Sequence, residues 1–255
     1  MPAIPASLHA LLANLIDYAG LYPPAGLPLH DVAEKYAGYR DSRHSWMLNR
    51  VVLPAAKLAE APVGERWRIT LLVDGEPGPL PPQVETLETK STHRLSLPTY
   101  CEVPLEQVSD AFAKVRTGGL TPDAIPSVET IADFLHRAAE RRVPFKATAG
   151  LHHPIRSPHP LTYAADSPRA VMHGFLNVFA AASFAWHGAE REVLVAVLGE
   201  EDPSAFEFTH SELRWHERQL SCAQIQVARS EFAHSFGSCS FEEPVADLRE
   251  LGYLS

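Results

Sequence analysis

Residues 127–150 read SVETIADFLHRAAERRVPFKATAG, and this stretch decides the fold. Its first part, Ser127 to Arg142, has the apolar spacing of a helix and opens with a capping serine. Its second part, Pro144 to Thr148, is a short apolar run that ends at glycine, which is typical of a buried strand. A helix followed at once by a buried strand predicts an α/β protein with a parallel sheet.

The same pattern continues on both sides of this stretch. Further strands are predicted at 50–53, 68–73, 84–88, 99–103, 113–116 and 236–241, and further helices at 8–18, 29–39, 105–112, 174–182, 190–198, 222–232 and 244–251. A small hairpin is predicted at 206–208 and 213–215. Seven or eight strands in about 250 residues predict an irregular (β/α)8-like TIM barrel.

We expect residues 1–255 to form a single α/β-barrel domain, with 1–45 as an N-terminal helical cap or extension. An open doubly wound sheet is the alternative architecture. It is less favoured because no glycine-rich phosphate turn follows the first predicted strand.

Composition narrows the classes of function. The 22 basic and 31 acidic residues give a net charge of −9, which argues against nucleic-acid binding. No apolar run approaches the roughly 18 residues of a membrane span. Three widely spaced cysteines favour a reducing compartment, so we expect a cytoplasmic protein. The sequence does not decide whether the protein forms a homo-oligomer.

Lys146 is the first candidate site residue. It lies within the apolar strand and shares a face with Thr148, which we expect to bind substrate. A buried lysine must be paired, solvated or shifted to a lower pKa, and a neutral amine is what Schiff-base chemistry requires. The alternative is that Lys146 only reaches solvent at the rim.

A second group of candidates precedes Lys146 in the chain. Lys114 and Arg116 share a strand face just before Gly118 and Gly119, which predicts either a site for a small anionic substrate or a salt-bridged strand with an ordinary turn. Two carboxylates are then candidates: Glu88 as a substrate-binding residue, and Glu102 as a general acid/base or as the partner of Lys146 or Arg116.

Histidines follow the lysine strand. We expect His152 or His173 to transfer protons or to bind substrate. No close metal-ligand spacing is present, so neither a metal nor another cofactor is expected. Cys239 reads as a core thiol, with a nucleophile activated by His234 as the less favoured interpretation.

The segment Lys146-Ala147-Thr148-Ala149-Gly150 resembles the Schiff-base strand of class I aldolases, in particular deoxyribose-phosphate aldolase, and Leu87-Glu88-Thr89 is similar to a strand end in that family. The resemblance implies that Lys146 forms an imine with substrate. The phrases at 148–153 and 173–178 resemble a group of bacterial barrel-like proteins, which implies no activity.

Three hypotheses of function follow. The first is a lyase that acts on a small anionic carbonyl compound through a Lys146 Schiff base, with Lys114 and Arg116 holding the anion. The second is a metal-dependent hydrolase or isomerase with His152, His173 and Glu102 as ligands. The third is an anion-binding barrel without catalysis.

Overall fold

The structure is a computed structural model that describes residues 4–90, 95–107 and 112–254. Its strands are β1 (Ile16–Tyr18), β2 (Leu48–Pro54), β3 (Ile69–Leu72), β4 (Val84–Thr89), β5 (Thr99–Glu102), β6 (Phe112–Arg116), β7 (Phe145–Thr148), β8 (Ser157–Pro160), β9 (Arg169–Met172), β10 (Phe206–Phe208), β11 (Glu212–Trp215), β12 (Arg218–Ser221) and β13 (Ala233–Ser238). Its helices are α1 (Ala6–Leu12), α2 (Leu29–Asp41), α3 (Val128–Glu140), α4 (Phe175–Trp186), α5 (Arg191–Gly199), α6 (Cys222–Glu231) and α7 (Glu242–Glu250).

Eight of these strands close into a parallel barrel in the order β1-β13-β7-β6-β5-β4-β3-β2. The predicted α/β TIM-barrel-like fold is therefore confirmed. The first and last barrel strands close it: β1 pairs with β2 on one side and with β13 on the other, with Asp17 opposite Gly237. The carboxyl ends of all eight strands consequently meet at one mouth, where the site lies.

The barrel is irregular on one side, as the sequence predicts. In the described part of the chain, no α-helix lies between β2 and β6, and a short 3₁₀ helix, Ala55–Glu60, follows β2 instead. On the other side α3 packs as expected, with the Ser127 hydroxyl accepting a hydrogen bond from the Thr130 amide. All twelve residues of α4 are buried, which confirms the apolar helix predicted there.

Residues 1–45 are not a helical cap, because they contain the barrel strand β1. The predicted helix over 8–18 ends at Leu12, and Asn14 adopts a positive φ of 49°, which a continuing right-handed helix does not allow. Ile16, Asp17 and Tyr18 then run as a fully buried strand.

Two other boundaries differ from the predictions. Leu105 and Glu106 form a turn rather than the start of a helix over 105–112, residues 108–111 lie outside the described residues, and Phe112 begins β6. The last strand runs over 233–238 rather than 236–241, because Phe241 precedes α7.

Two small sheets are inserted between β7 and β13. β8 and β9 form an antiparallel hairpin, and β10, β11 and β12 form a three-stranded antiparallel sheet that includes the predicted hairpin. Among the described residues, no helix has both the length and the apolar character needed to cross a membrane.

Candidate functional site in the barrel interior

Five charged side chains from five different strands meet inside the barrel. They alternate in sign and form a row of contacts in the order Asp17, Lys146, Glu88, Lys114, Glu102. Inward-facing positions of neighbouring parallel strands lie at similar heights, so residues far apart in the chain become neighbours. We call these five residues the charge row.

Lys146 lies at the buried end of the charge row. Its Nζ is 2.5 Å from Asp17 Oδ2 and 2.5 Å from Glu88 Oε1. Burial by itself lowers the pKa of this amine, but the two carboxylates outweigh burial and the net shift of the Lys146 pKa is upward. The amine is therefore a paired ammonium ion, and the expected neutral amine is not its resting state.

Glu88 joins the two lysines. Its Oε2 lies 2.8 Å from Lys114 Nζ, while its Oε1 contacts Lys146. Burial opposes ionisation of this carboxyl, but the two ammonium groups prevail and lower its pKa to about 2. Glu88 was predicted to bind substrate directly. The structure instead places it between two lysines, where it neutralises both.

The outer end of the charge row approaches solvent. Lys114 Nζ also lies 3.2 Å from Glu102 Oε2, so Glu102 pairs with Lys114 rather than with Lys146 or Arg116. The exposed fraction of the side chains rises along the row, from 1% at Lys146 and 4% at Glu88 to 11% at Lys114 and 27% at Glu102. A small molecule would therefore reach the row from the Glu102 end.

A cleft of about 600 Å³ opens at that end. Residues lining it include Lys90, Glu102, Leu105, Arg116, Asp123 and Thr130. Arg116 lies at its rim on the same strand face as Lys114, which lies deeper. The two cations that were predicted to hold one anion therefore lie at different depths. Lys114 forms ion pairs with Glu88 and Glu102, and Arg116 lines the cleft.

Gly118 and Gly119 allow close packing rather than forming an anion cradle. A Cβ on Gly118 would lie 2.9 Å from the Cα of Gly150, and one on Gly119 would lie 2.6 Å from the Cβ of Ala124. The turns after β6 and β7 therefore touch backbone to backbone. This contact explains Gly118, and the approach to the Ala124 side chain explains Gly119.

Asp17 is the site residue that the sequence analysis did not single out. Its Oδ2 accepts a hydrogen bond from Ser235 Oγ at 2.9 Å, in addition to the bond from Lys146, and its Oδ1 accepts one from the Arg50 amide at 3.3 Å. These contacts fix the carboxylate against the lysine. Thr148, predicted to share a face with Lys146, faces Gly237 on β13, where a Cβ would lie 3.5 Å from its Oγ1.

Neither predicted histidine contacts the charge row. His152 Nδ1 donates to Glu243 Oε2 at 3.0 Å, and His173 Nε2 donates to the Pro126 carbonyl at 2.7 Å. Both residues lie in the segment after β7, where no strand periodicity fixes the direction of a side chain. The structure therefore keeps both residues apart from the charge row, and the roles of His152 in catalysis and of His173 in substrate binding stay predictions.

The ligand set of the metal hypothesis does not come together either. His152, His173 and Glu102 have three different partners, and the described residues contain no cluster of three or more histidine, cysteine or acidic side chains suited to a metal ion. His234 and Cys239 are also separate. His234 accepts a hydrogen bond from Tyr100 at 2.7 Å, whereas the buried Cys239 contacts Tyr163 at 3.6 Å.

Comparison of the chain with protein-family models, with curated proteins and with solved structures found no match.

Proposed function

We propose that the chain is an enzyme that makes or breaks a carbon–carbon bond in a small anionic carbonyl compound through an imine on Lys146. The observation that carries the proposal is the position of the Lys146 amine between two carboxylates, 2.5 Å from each, inside the barrel. The cleft at the barrel mouth is lined by Lys90 and Arg116 together with Glu102, Glu106 and Asp123. The resemblance of residues 146–150 to the Schiff-base strand of class I aldolases agrees with this assignment.

The carboxylates supply the proton acceptor that the reaction needs. The ammonium passes one proton to Asp17 or Glu88, and the free electron pair of nitrogen then forms a bond to the carbonyl carbon. The carbonyl oxygen takes up one proton from the nitrogen and a second from an acid at the site, and it leaves as water, which produces an iminium ion. Since this ion has the same charge as the ammonium it replaces, the same two carboxylates stabilise it.

The cleft supplies the binding site for the anion. Arg116 and Lys90 line it, and their charges are of the sign that a substrate carboxylate or phosphate requires. Glu102 borders both the cleft and Lys114, so it is the carboxylate placed to exchange protons with a molecule bound there.

The test is borohydride trapping of the imine. The protein is incubated with pyruvate, glyoxylate, dihydroxyacetone phosphate or glyceraldehyde 3-phosphate, reduced, digested and mapped by mass spectrometry. We expect a stable adduct on the peptide containing Lys146 and none in the Lys146→Met variant. Lys57→Met is the matched control, because Lys57 is an exposed lysine paired with Glu60 and its loss leaves the adduct in place.

An adduct on Lys114 instead of Lys146 would show that Lys114 forms the imine and that the assignment to Lys146 is wrong. The absence of any specific adduct, together with thermal stabilisation of the protein by phosphate, would overturn the proposal in favour of anion binding without catalysis.

A further inference from the structure

The hydroxyl group of Tyr22 has an environment that the proposed reaction does not explain. The hydroxyl is buried, and among the described residues it has no hydrogen-bond partner. Buried hydroxyl groups are normally paired, because leaving one unpaired in the interior is unfavourable. An orphaned hydroxyl beside a charged site is therefore a candidate for contact with a ligand.

The position of Tyr22 is fixed by the loop that follows β1. The Ala19 amide donates to the carbonyl of Ser238, at the end of β13, over 2.7 Å, and the Tyr22 amide donates to the Ala19 carbonyl over 2.9 Å. The Tyr22 carbonyl accepts from the Gly26 amide at 3.0 Å. These bonds tie the loop to the carboxyl ends of two barrel strands, which is the end of the barrel where substrate would enter.

The charge row acts on the phenol. Burial raises the pKa of Tyr22, the Glu88 carboxylate raises it further, and the Lys146 ammonium acts in the opposite direction. The phenol is therefore protonated at neutral pH, and the charges of Glu88 and Lys146 both act on it. It can donate a proton, and a positive charge at Lys146 favours the phenolate that remains.

We infer that Tyr22 is a catalytic acid and base of this site, acting on the oxygen of the bound carbonyl compound. The inference rests on the proposed imine mechanism. After Lys146 has added to the carbonyl carbon, the Tyr22 hydroxyl donates its proton to the carbinolamine oxygen. The carbon–oxygen bond breaks, water leaves, and the iminium ion and the phenolate remain as a pair.

The phenolate then performs the next proton transfer. It removes a proton from the carbon next to the iminium carbon, and the electron pair of that carbon–hydrogen bond moves into the iminium to give an enamine. This step restores the neutral phenol. One side chain thus serves dehydration and enamine formation in turn, with no additional reactant.

The experiment compares wild type with Tyr22→Phe, using pyruvate and dihydroxyacetone phosphate as probes. Two rates are measured: the appearance of the borohydride-trapped Lys146 adduct in timed quenches, and the exchange of probe C–H for deuterium by NMR. A positioned acid or base contributes roughly 10²- to 10⁴-fold, and we expect losses of that order in both rates. Tyr163→Phe is the matched control, because Tyr163 is an exposed tyrosine that bonds Glu243 away from the charge row.

The variant is suited to the purpose because it removes only an atom without a partner in the described structure. We expect the Tm of Tyr22→Phe to equal or exceed that of wild type, so a loss of rate would not reflect unfolding. Trapping in wild type with unchanged rates in Tyr22→Phe would overturn the role of Tyr22 and leave the imine proposal standing. No adduct on Lys146 in wild type would overturn both.

Discussion

Lys114 and Lys146 lie opposite each other on neighbouring strands and share one carboxylate. Glu88 gives Oε2 to Lys114 at 2.8 Å and Oε1 to Lys146 at 2.5 Å. Two like charges placed side by side in a barrel would repel each other strongly without this bridge. The stability of the interior therefore depends on Glu88.

Replacing Glu88 by glutamine tests this dependence. The variant leaves two buried ammonium groups with one carboxylate fewer, and breaking a buried ion pair in this way costs about 3–5 kcal/mol. We expect a loss of that size in the free energy of unfolding, measured by urea denaturation at pH 7.

The control is Glu60→Gln, since Glu60 pairs with Lys57 at 2.8 Å on the surface. An exposed pair of this kind contributes about 0–1 kcal/mol. Equal losses in the two variants would contradict the importance assigned to the shared carboxylate.

Asp17 and Lys146 are expected to be energetically coupled. Lys146→Met leaves the Asp17 carboxylate without its cation and Glu88 with Lys114 alone, whereas Asp17→Asn removes one of the two charges that hold the Lys146 ammonium. In the double variant, the carboxylate that Lys146→Met alone leaves without a cation is also removed. We expect its loss of stability to fall short of the sum of the single losses by about 0.5–3 kcal/mol, the usual range for contacting residues. Simple additivity in urea denaturation would show that the pair is not coupled.

His234 predicts a decline in stability at mildly acidic pH. The Tyr100 hydroxyl donates to its Nδ1, and its Nε2 donates to the Ser230 carbonyl, so the ring is bonded in its neutral form. Burial, followed by the charge of Arg229, lowers its pKa from 6.5 to about 4. Between these values the unfolded chain binds a proton that the folded chain does not, so stability falls as pH drops from 6.5 to 4.

His159 contributes in the same direction, because burial and His153 lower its pKa to about 4 as well. We therefore expect the urea concentration at the unfolding midpoint of wild type to decrease as the pH is lowered from 7 to 4.5. This decrease should be smaller in His234→Gln. A variant with the full wild-type pH dependence would show that the ring does not titrate as described.

Replacement of glycine by alanine should have opposite effects on stability at Gly118 and at Gly38. Gly118→Ala places a methyl group 2.9 Å from the Gly150 Cα, where backbone must move, and overpacking of this kind costs about 1–3 kcal/mol. Gly38→Ala lies within α2, with nothing within 4 Å of the new methyl group, and should stabilise the protein by about 0.5–1 kcal/mol. In thermal denaturation, the Tm of Gly118→Ala should be lower than that of wild type, and the Tm of Gly38→Ala should be higher.

Most of the barrel could be predicted because its strands are short apolar runs, as parallel strands buried on both faces must be. The strand β1 escaped prediction because its three residues, Ile16 to Tyr18, continue the apolar stripe of the preceding helix. The only local signal of a break is Asn14, a residue that tolerates the positive φ it adopts.

The candidate site could be predicted in part for the same reason. Strand alternation places Glu88, Glu102, Lys114 and Lys146 on inward faces, and all four meet in the charge row. Asp17 could not be found in this way, because its place depends on β1 being a strand and on closure against β13, more than two hundred residues later. His152 lies in a loop, where no periodicity indicates direction.

The pairing of β1 with β13 also affects synthesis of the chain. A nascent chain that ends between residues 149 and 232 contains the first seven barrel strands, but β1 and β7 are then both open sheet edges. Unpaired edges of this kind are templates for association with other chains. Incomplete translation products or proteolytic fragments that lack β13 should therefore be prone to aggregate and should depend on chaperones, from which the chain is released when β13 joins β1.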